Sequence, residues 1–324
     1  MRKACMLLSA LCLLCCMDPS ERALAAAPAA GGQAVEVIDD SGNPVRLDAP
    51  ARRIVVLYAG FGDTLAAMGL TGYVAGRTVS DDTLPPTVPA VGTHMRPNME
   101  LVAALHPDLA LLLEGREEAG ATALSLGRLG IPVARFRVSS FDDLFSCIGR
   151  LGTLTGEQTR AEILLADMRE RLDAVRRKTA TLARRPTVFF EVRYPNLLGA
   201  GGRSMPADII RAAGGIHCLD GENSRMVRLN EERLLLLNPD IYLIQEGAMN
   251  KNPIPLEDRS HFRALSAVRN AWSFTVPESR FSRPGPQSVS AVEELADIIL
   301  RRYAGKRRMP ESEQPDEGWA SCVE

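Results

Sequence analysis
The chain has 324 residues, 46% of them hydrophobic, with 38 basic side chains against 40 acidic ones. That length suffices for two domains with a sizeable core in each. The near-neutral balance, with no basic motif of a nucleic-acid fold, excludes a general nucleic-acid binder.

Arg2 and Lys3 precede the apolar run Ala4 to Met17, and Ala23-Leu24-Ala25 follows. This is the order of a secretory signal, and the run is too short for a comfortable membrane span. Residues 1–25 are expected to be removed after Ala25, leaving a periplasmic or otherwise extracytoplasmic protein. A lipid-modified Cys16 ranks second, because Leu13, Leu14 and Cys15 ahead of it lack the small residues of such sites. Export frames the cysteines. Four of seven lie in the signal, leaving Cys147, Cys218 and Cys322, which have no metal-ligand spacing and imply no disulfide framework. Cys147 reads as a buried free thiol on the apolar side of a helix.

Next, Val35 to Asp39 and Val45 to Leu47 flank Asp40-Ser41-Gly42-Asn43, a hairpin signal. A strand at Ile54 to Tyr58 leads to a helix at Asp63 to Met68 closed by Gly69. Tyr73 to Arg77 is a further strand, and residues 78–93 read as loop. Pro97 starts a helix in the favoured first turn and Pro107 ends it. Strand Leu109 to Leu113, helix Ala119 to Leu129, strand Val133 to Phe136 and helix Phe141 to Leu151 follow. Gly156 to Arg185 carries Ala161, Leu164, Leu165, Met168, Leu172, Val175 and Leu182 at helical spacing, without an internal Gly or Pro. At ~1.5 Å per residue this predicts a helix about 40 Å long.

The flanks of that helix repeat one another. Asp63 is followed six residues later by Gly69, and Asp208 six later by Gly214. Glu100 stands seven residues before Pro107-Asp108, and Glu232 seven before Pro239-Asp240. Strands alternating with helices predict parallel sheets covered on both faces. The expectation is an α/β chain of two similar lobes, 35–155 and 186–304, joined by one long rigid helix, 156–185. The charged, Pro-containing segment 305–324 is expected to be disordered.

Catalytic motifs are missing. Gly199-Ala200-Gly201-Gly202 lacks dinucleotide spacing, no Gly-x-Ser-x-Gly occurs, and His94, His106, His217 and His261 are scattered. No enzyme, resident metal or cofactor is expected. Ligands of open α/β sheets bind beyond the carboxyl ends of the strands. There the chain offers Tyr58, Arg77, His94, Arg96, Arg193, Tyr194, Arg203, Arg225, Arg228, Phe281 and Arg283. Guanidiniums suit an anionic or carboxylate-bearing ligand, and Tyr58, Tyr194 and Phe281 could stack on a flat body.

Several segments carry a family resemblance: Asp39-Asp40-Ser41-Gly42 with Val45, Pro50 to Val55, and the two Glu-to-Pro-Asp segments. Gly127 to Val133, Gly152 to Gly156, Ala213-Gly214-Gly215 and Ala267 to Asn270 add to it. Over about Val35 to Tyr303 the chain resembles solute-binding proteins of ABC importers for iron complexes and cobalamin. The resemblance implies a ligand held between two lobes and delivered to a permease dimer with its cytoplasmic ATPase, without catalysis. It does not select the ligand. Arginines and tyrosines favour a ferric siderophore-type chelate, with a corrinoid or haem as the alternative, an oxyanion open, and a chelatase-like enzyme as a minor reading. In the family, glutamates matching Glu100 and Glu232 dock on transporter arginines; Glu231 adjoins the second, and the spacing favours Glu232. A monomer is expected.

Overall fold
A computed structural model describes residues 33–115 and 117–303. The expected signal 1–25, Cys16, Cys322 and the tail 305–324 lie outside the described residues. Strands β1 (Val35–Ile38) and β2 (Pro44–Leu47) pair antiparallel. Their turn is held by Asp39 Oδ1, which accepts from the N–H groups of Ser41 and Asn43 at 3.0 Å each.

The apolar runs of the first half become β3 (Ile54–Val56), β4 (Val74–Gly76), β5 (Leu109–Leu113) and β6 (Val133–Phe136). They form a wholly parallel sheet in the order β4-β3-β5-β6. Helices α1 (Ala59–Ala67), α2 (Met99–Ala104), α3 (Glu117–Arg128) and α4 (Phe141–Thr155) cover it. Gly156 then takes the left-handed conformation, φ 67°, and ends α4.

The connecting helix α5 runs from Gln158 to Thr179. Its 22 residues give about 33 Å at 1.5 Å per residue, shorter than the 156–185 expected. Gly156 is consumed as the cap of α4, and beyond Thr179 the chain turns toward Pro186, with Arg184 paired to Asp240 at 2.8 Å. Leu182 still packs on the core from that turn, so apolar spacing outlasts the helix itself.

The second half holds β7 (Thr187–Arg193), β8 (Leu198–Ala200), β9 (Ile216–His217), β10 (Met226–Arg228), β11 (Ile241–Glu246) and β12 (Ser273–Pro277). Its helices are α6 (Met205–Ala212), α7 (Glu231–Leu237), α8 (Ser266–Arg269), α9 (Glu278–Phe281) and α10 (Ser288–Tyr303). The parallel series β9-β7-β11-β12 repeats β4-β3-β5-β6 strand for strand. One edge of β7 carries β9 along its first residues and antiparallel β8 along its last, with β10 beyond β8. This added ribbon stands at the carboxyl end of β7, where a ligand would sit.

Alternation along each strand divides the core. Val55, Ala110 and Leu112 pack outward with Val102 of α2 and Leu126 of α3, while Phe189, Tyr242 and Ile244 pack outward with Leu234 of α7. The opposite faces, including Ile54, Leu111, Phe190 and Leu243, merge with Leu165 and Met168 of α5 into one cluster spanning both lobes. Two of the ties between the halves are made by the repeated aspartates. Gln287, just ahead of α10, donates to Asp63 of α1 at 2.5 Å, and the Phe141 N–H at the start of α4 donates to Asp208 of α6 at 2.7 Å. Each repeated aspartate thus accepts a hydrogen bond at the start of the other half's terminal helix, Asp63 from a side-chain amide and Asp208 from a backbone N–H.

Candidate functional site
Parallel strands deliver every chain exit to one end of each sheet, and these ends form the walls of a cleft. A cavity of about 330 Å³ is lined by Glu114 and Gly115 after β5, Arg137 to Ser139 after β6, Arg203 after β8, and Asn223 to Arg225 ahead of β10. Leu113 continues it toward a smaller recess with Leu57 and His94. Val138, Ser139 and Arg225 continue it toward another recess with Val192, Ser282 and Pro284.

Of the residues expected at the site, His94, Arg203 and Arg225 line this groove. Half-buried Tyr58 adjoins it, its ring edge-on to His94 with centroids 6.3 Å apart. Arg96 is exposed on the loop before α2, and Arg228 on edge strand β10. Arg193 ends β7 with its Nε buried and, among the described residues, without a hydrogen bond. Tyr194 packs edge-on to Phe262 at 5.9 Å, with the Arg259 guanidinium 4.1 Å from its ring centre. Neither lines the groove.

Three expectations are corrected. Phe281 is fully buried: the short α9 turns its ring into the core that joins the lobes, so it cannot stack on a ligand. Arg77 is spent on its own loop, donating from Nη1 to Asp81 O at 2.8 Å and from Nε to Val88 O at 3.1 Å. Arg283 ties the lobes together, with Nη1 2.7 Å from Asp82 and 3.7 Å from Asp63. Asp63 also accepts from the Thr83 hydroxyl; burial pushes its carboxyl above the ordinary range, against the pull of that bond and of Arg283.

Two features escaped the sequence reading. Arg137 is a third guanidinium on the main cavity, directly after β6, where the strand-end rule could have found it. Glu191 lies wholly buried inside β7 and pairs with Arg259 through both carboxylate oxygens, at 2.6 and 3.0 Å. The Tyr242 hydroxyl donates to the same carboxylate at 2.6 Å, and burial pushes that phenol well above its ordinary pKa. Arg259 also donates to Ile254 O, which pins the long loop after β11. The signal was the acid within the otherwise apolar Thr187 to Val192.

On another surface, Glu100 and Glu232 occupy the first turns of α2 and α7, both exposed. Asn98 and Asn230 cap these helices, accepting from Glu100 N at 3.0 Å and Arg233 N at 2.9 Å. Glu231 is half-buried and 3.7 Å from His261 Nδ1. Among the described residues no helix is long and apolar enough to cross a membrane.

The sequence profile described as Periplasmic binding protein matches residues 53–278, from just before β3 to the start of α9. The chain belongs to that family. This binding protein is 28% identical over 306 residues to the uncharacterized ABC transporter substrate-binding lipoprotein YvrC of Bacillus subtilis, covering 91% of this chain and 95% of the relative. It is 26% identical over 275 residues to a cobalamin-binding protein of Halobacterium salinarum, covering 81% and 73%. Among solved structures, an ABC-type Fe3+-hydroxamate transport system protein of Saccharomonospora viridis superposes with a TM-score of 0.66 at 22% identity, covering 82% and 98%. The fold of the binding protein is therefore the two-lobe fold of such receptors.

Proposed function
We propose that this binding protein is the substrate-binding component of an ABC importer, taking an anionic metal chelate of ferric siderophore type into the interlobe cleft. It presents that cargo to a permease dimer with a cytoplasmic ATPase and performs no chemistry on it. The observation that carries the reading is the cleft cavity, which Arg137 of one lobe lines together with Arg203 and Arg225 of the other. Three guanidiniums from two walls match a ligand with several anionic oxygens, because each can make paired charge-assisted hydrogen bonds.

A corrinoid is the second reading. It is favoured by the relative named as a cobalamin-binding protein, which aligns over 81% of this chain. Cobalamin presents many amides and one phosphodiester, so it uses a three-arginine cavity less fully. Titration calorimetry with ferric citrate, ferric enterobactin, haem, cyanocobalamin, molybdate and divalent metals tests the assignment. Saturable binding of a ferric complex, weakened by salt, is the expected result. Binding of a sugar or amino acid instead, with none of these complexes bound, would overturn the substrate class.

A further inference from the structure
One wall of the cavity carries a charge that an all-anionic ligand would leave unused. Glu114 follows β5 directly, and its N–H donates to Phe136 O at 2.9 Å, so its backbone prolongs the sheet. Gly115, at φ 88°, turns the chain away immediately afterwards. The Glu114 side chain is therefore held at the strand end, 17% exposed, on the same cavity as Arg137, Arg203 and Arg225.

Its Oε2 is buried and, among the described residues, has no hydrogen bond. Arg135 Nη1 stands 3.4 Å away, and the same guanidinium lies 3.9 Å from Asp39 at its Nε. The charge of Glu114 is thus partly balanced while an acceptor site stays open. A buried acceptor without a donor is costly, and a like charge brought beside it adds to that cost. A bare oxyanion or a complex clad only in carboxylates would meet both penalties. A ligand with an amide N–H, a hydroxyl or an ammonium group would relieve them.

Resting on the chelate reading above, we infer that Glu114 is a specificity-determining residue of the cleft. It accepts a hydrogen bond from a donor group on the chelate, while Arg137, Arg203 and Arg225 hold the anionic oxygens. The pocket selects chelates that carry both kinds of group, and it discriminates against oxyanions, haem and donor-free carboxylate complexes.

Calorimetry on wild type and Glu114→Gln decides this, with ferric enterobactin, an anionic chelate with amide N–H groups, and cyanocobalamin as donor-bearing probes and ferric citrate, haem and molybdate as donor-free ones. The wild type is expected to prefer a donor-bearing probe. In Glu114→Gln that affinity falls by on the order of ten-fold, the loss of one charged hydrogen bond, while affinity for donor-free probes holds or rises. Glu114→Asp keeps the charge and is expected to keep the order of preference; it carries the comparison if Glu114→Gln does not fold. A wild type that prefers a donor-free probe overturns the inference alone. So does a Gln variant that shifts both classes by one factor, or shifts neither. A wild type that binds no probe of either class overturns the chelate reading and this inference with it.

Discussion
Arg225 and Arg283 both stand near the cleft, and they face different things. Arg225 is half-buried on the cleft cavity, and Arg283 pairs with carboxylates of the facing lobe. Arg225→Ala is expected to cost roughly 1.5–3 kcal/mol of chelate affinity, the value of a charged hydrogen bond. Arg283→Ala is expected to lower the melting temperature and leave affinity nearly unchanged, since it strips the cation from buried Asp63 and the partner from exposed Asp82. Calorimetry and thermal melts on both variants would show the division; a stable Arg283→Ala with weakened binding would return that residue to the ligand site. The strand-end rule found Arg225 and His94 because it needs only strand positions. It could not say which guanidiniums were already spent, because Arg283 meets Asp82 from a distant part of the chain. Phe281 shows the same limit: its place after β12 was legible, but the turn of α9 that buries it was not.

Elements were legible where apolar runs are bounded by Gly, Pro or a capping side chain. Parallel strands such as β5 and β11 are buried almost throughout, and their apolar sequences declare them. The ribbon β8 and β10 was not foreseen, since three-residue edge strands carry no period to read. Yet the loops around that ribbon supply Arg203 and Arg225, so the half of the site the repeat does not predict is also the half that departs from it. By contrast, α2 and α7 arise from matching segments and present Glu100 and Glu232 alike, each beside exposed leucine, Leu101 at 49% and Leu236 at 86%. An exposed acid in a first turn gains only ~0.3–1 kcal/mol from the helix dipole, so little local stability is at stake. Glu100→Ala with Glu232→Ala is expected to keep cleft affinity while losing ~2–5 kcal/mol of permease docking. Uptake and ATPase stimulation in a reconstituted transporter would check it, and normal uptake would return both residues to plain helix ends.

At the scale of the molecule, the lobes share more than a connecting helix. One apolar cluster runs through both sheets and α5, and the ties at Asp63 and Asp208 bind each half to the other half's terminal helix. Rotation of one lobe would strain the packing and both ties together, whereas hinge motion ordinarily needs a few free loop residues. A small rotation on binding is therefore expected, and crystal forms with and without ligand that differ by tens of degrees would refute it. Two lobes so fastened are not expected to shut over a cargo. A bound chelate would then stay in partial contact with water, and its residence time would be set by the contacts along the groove rather than by a gate. A cargo never enclosed needs no unlocking of its carrier, so handing it over requires only that something outside the cleft compete for the exposed side.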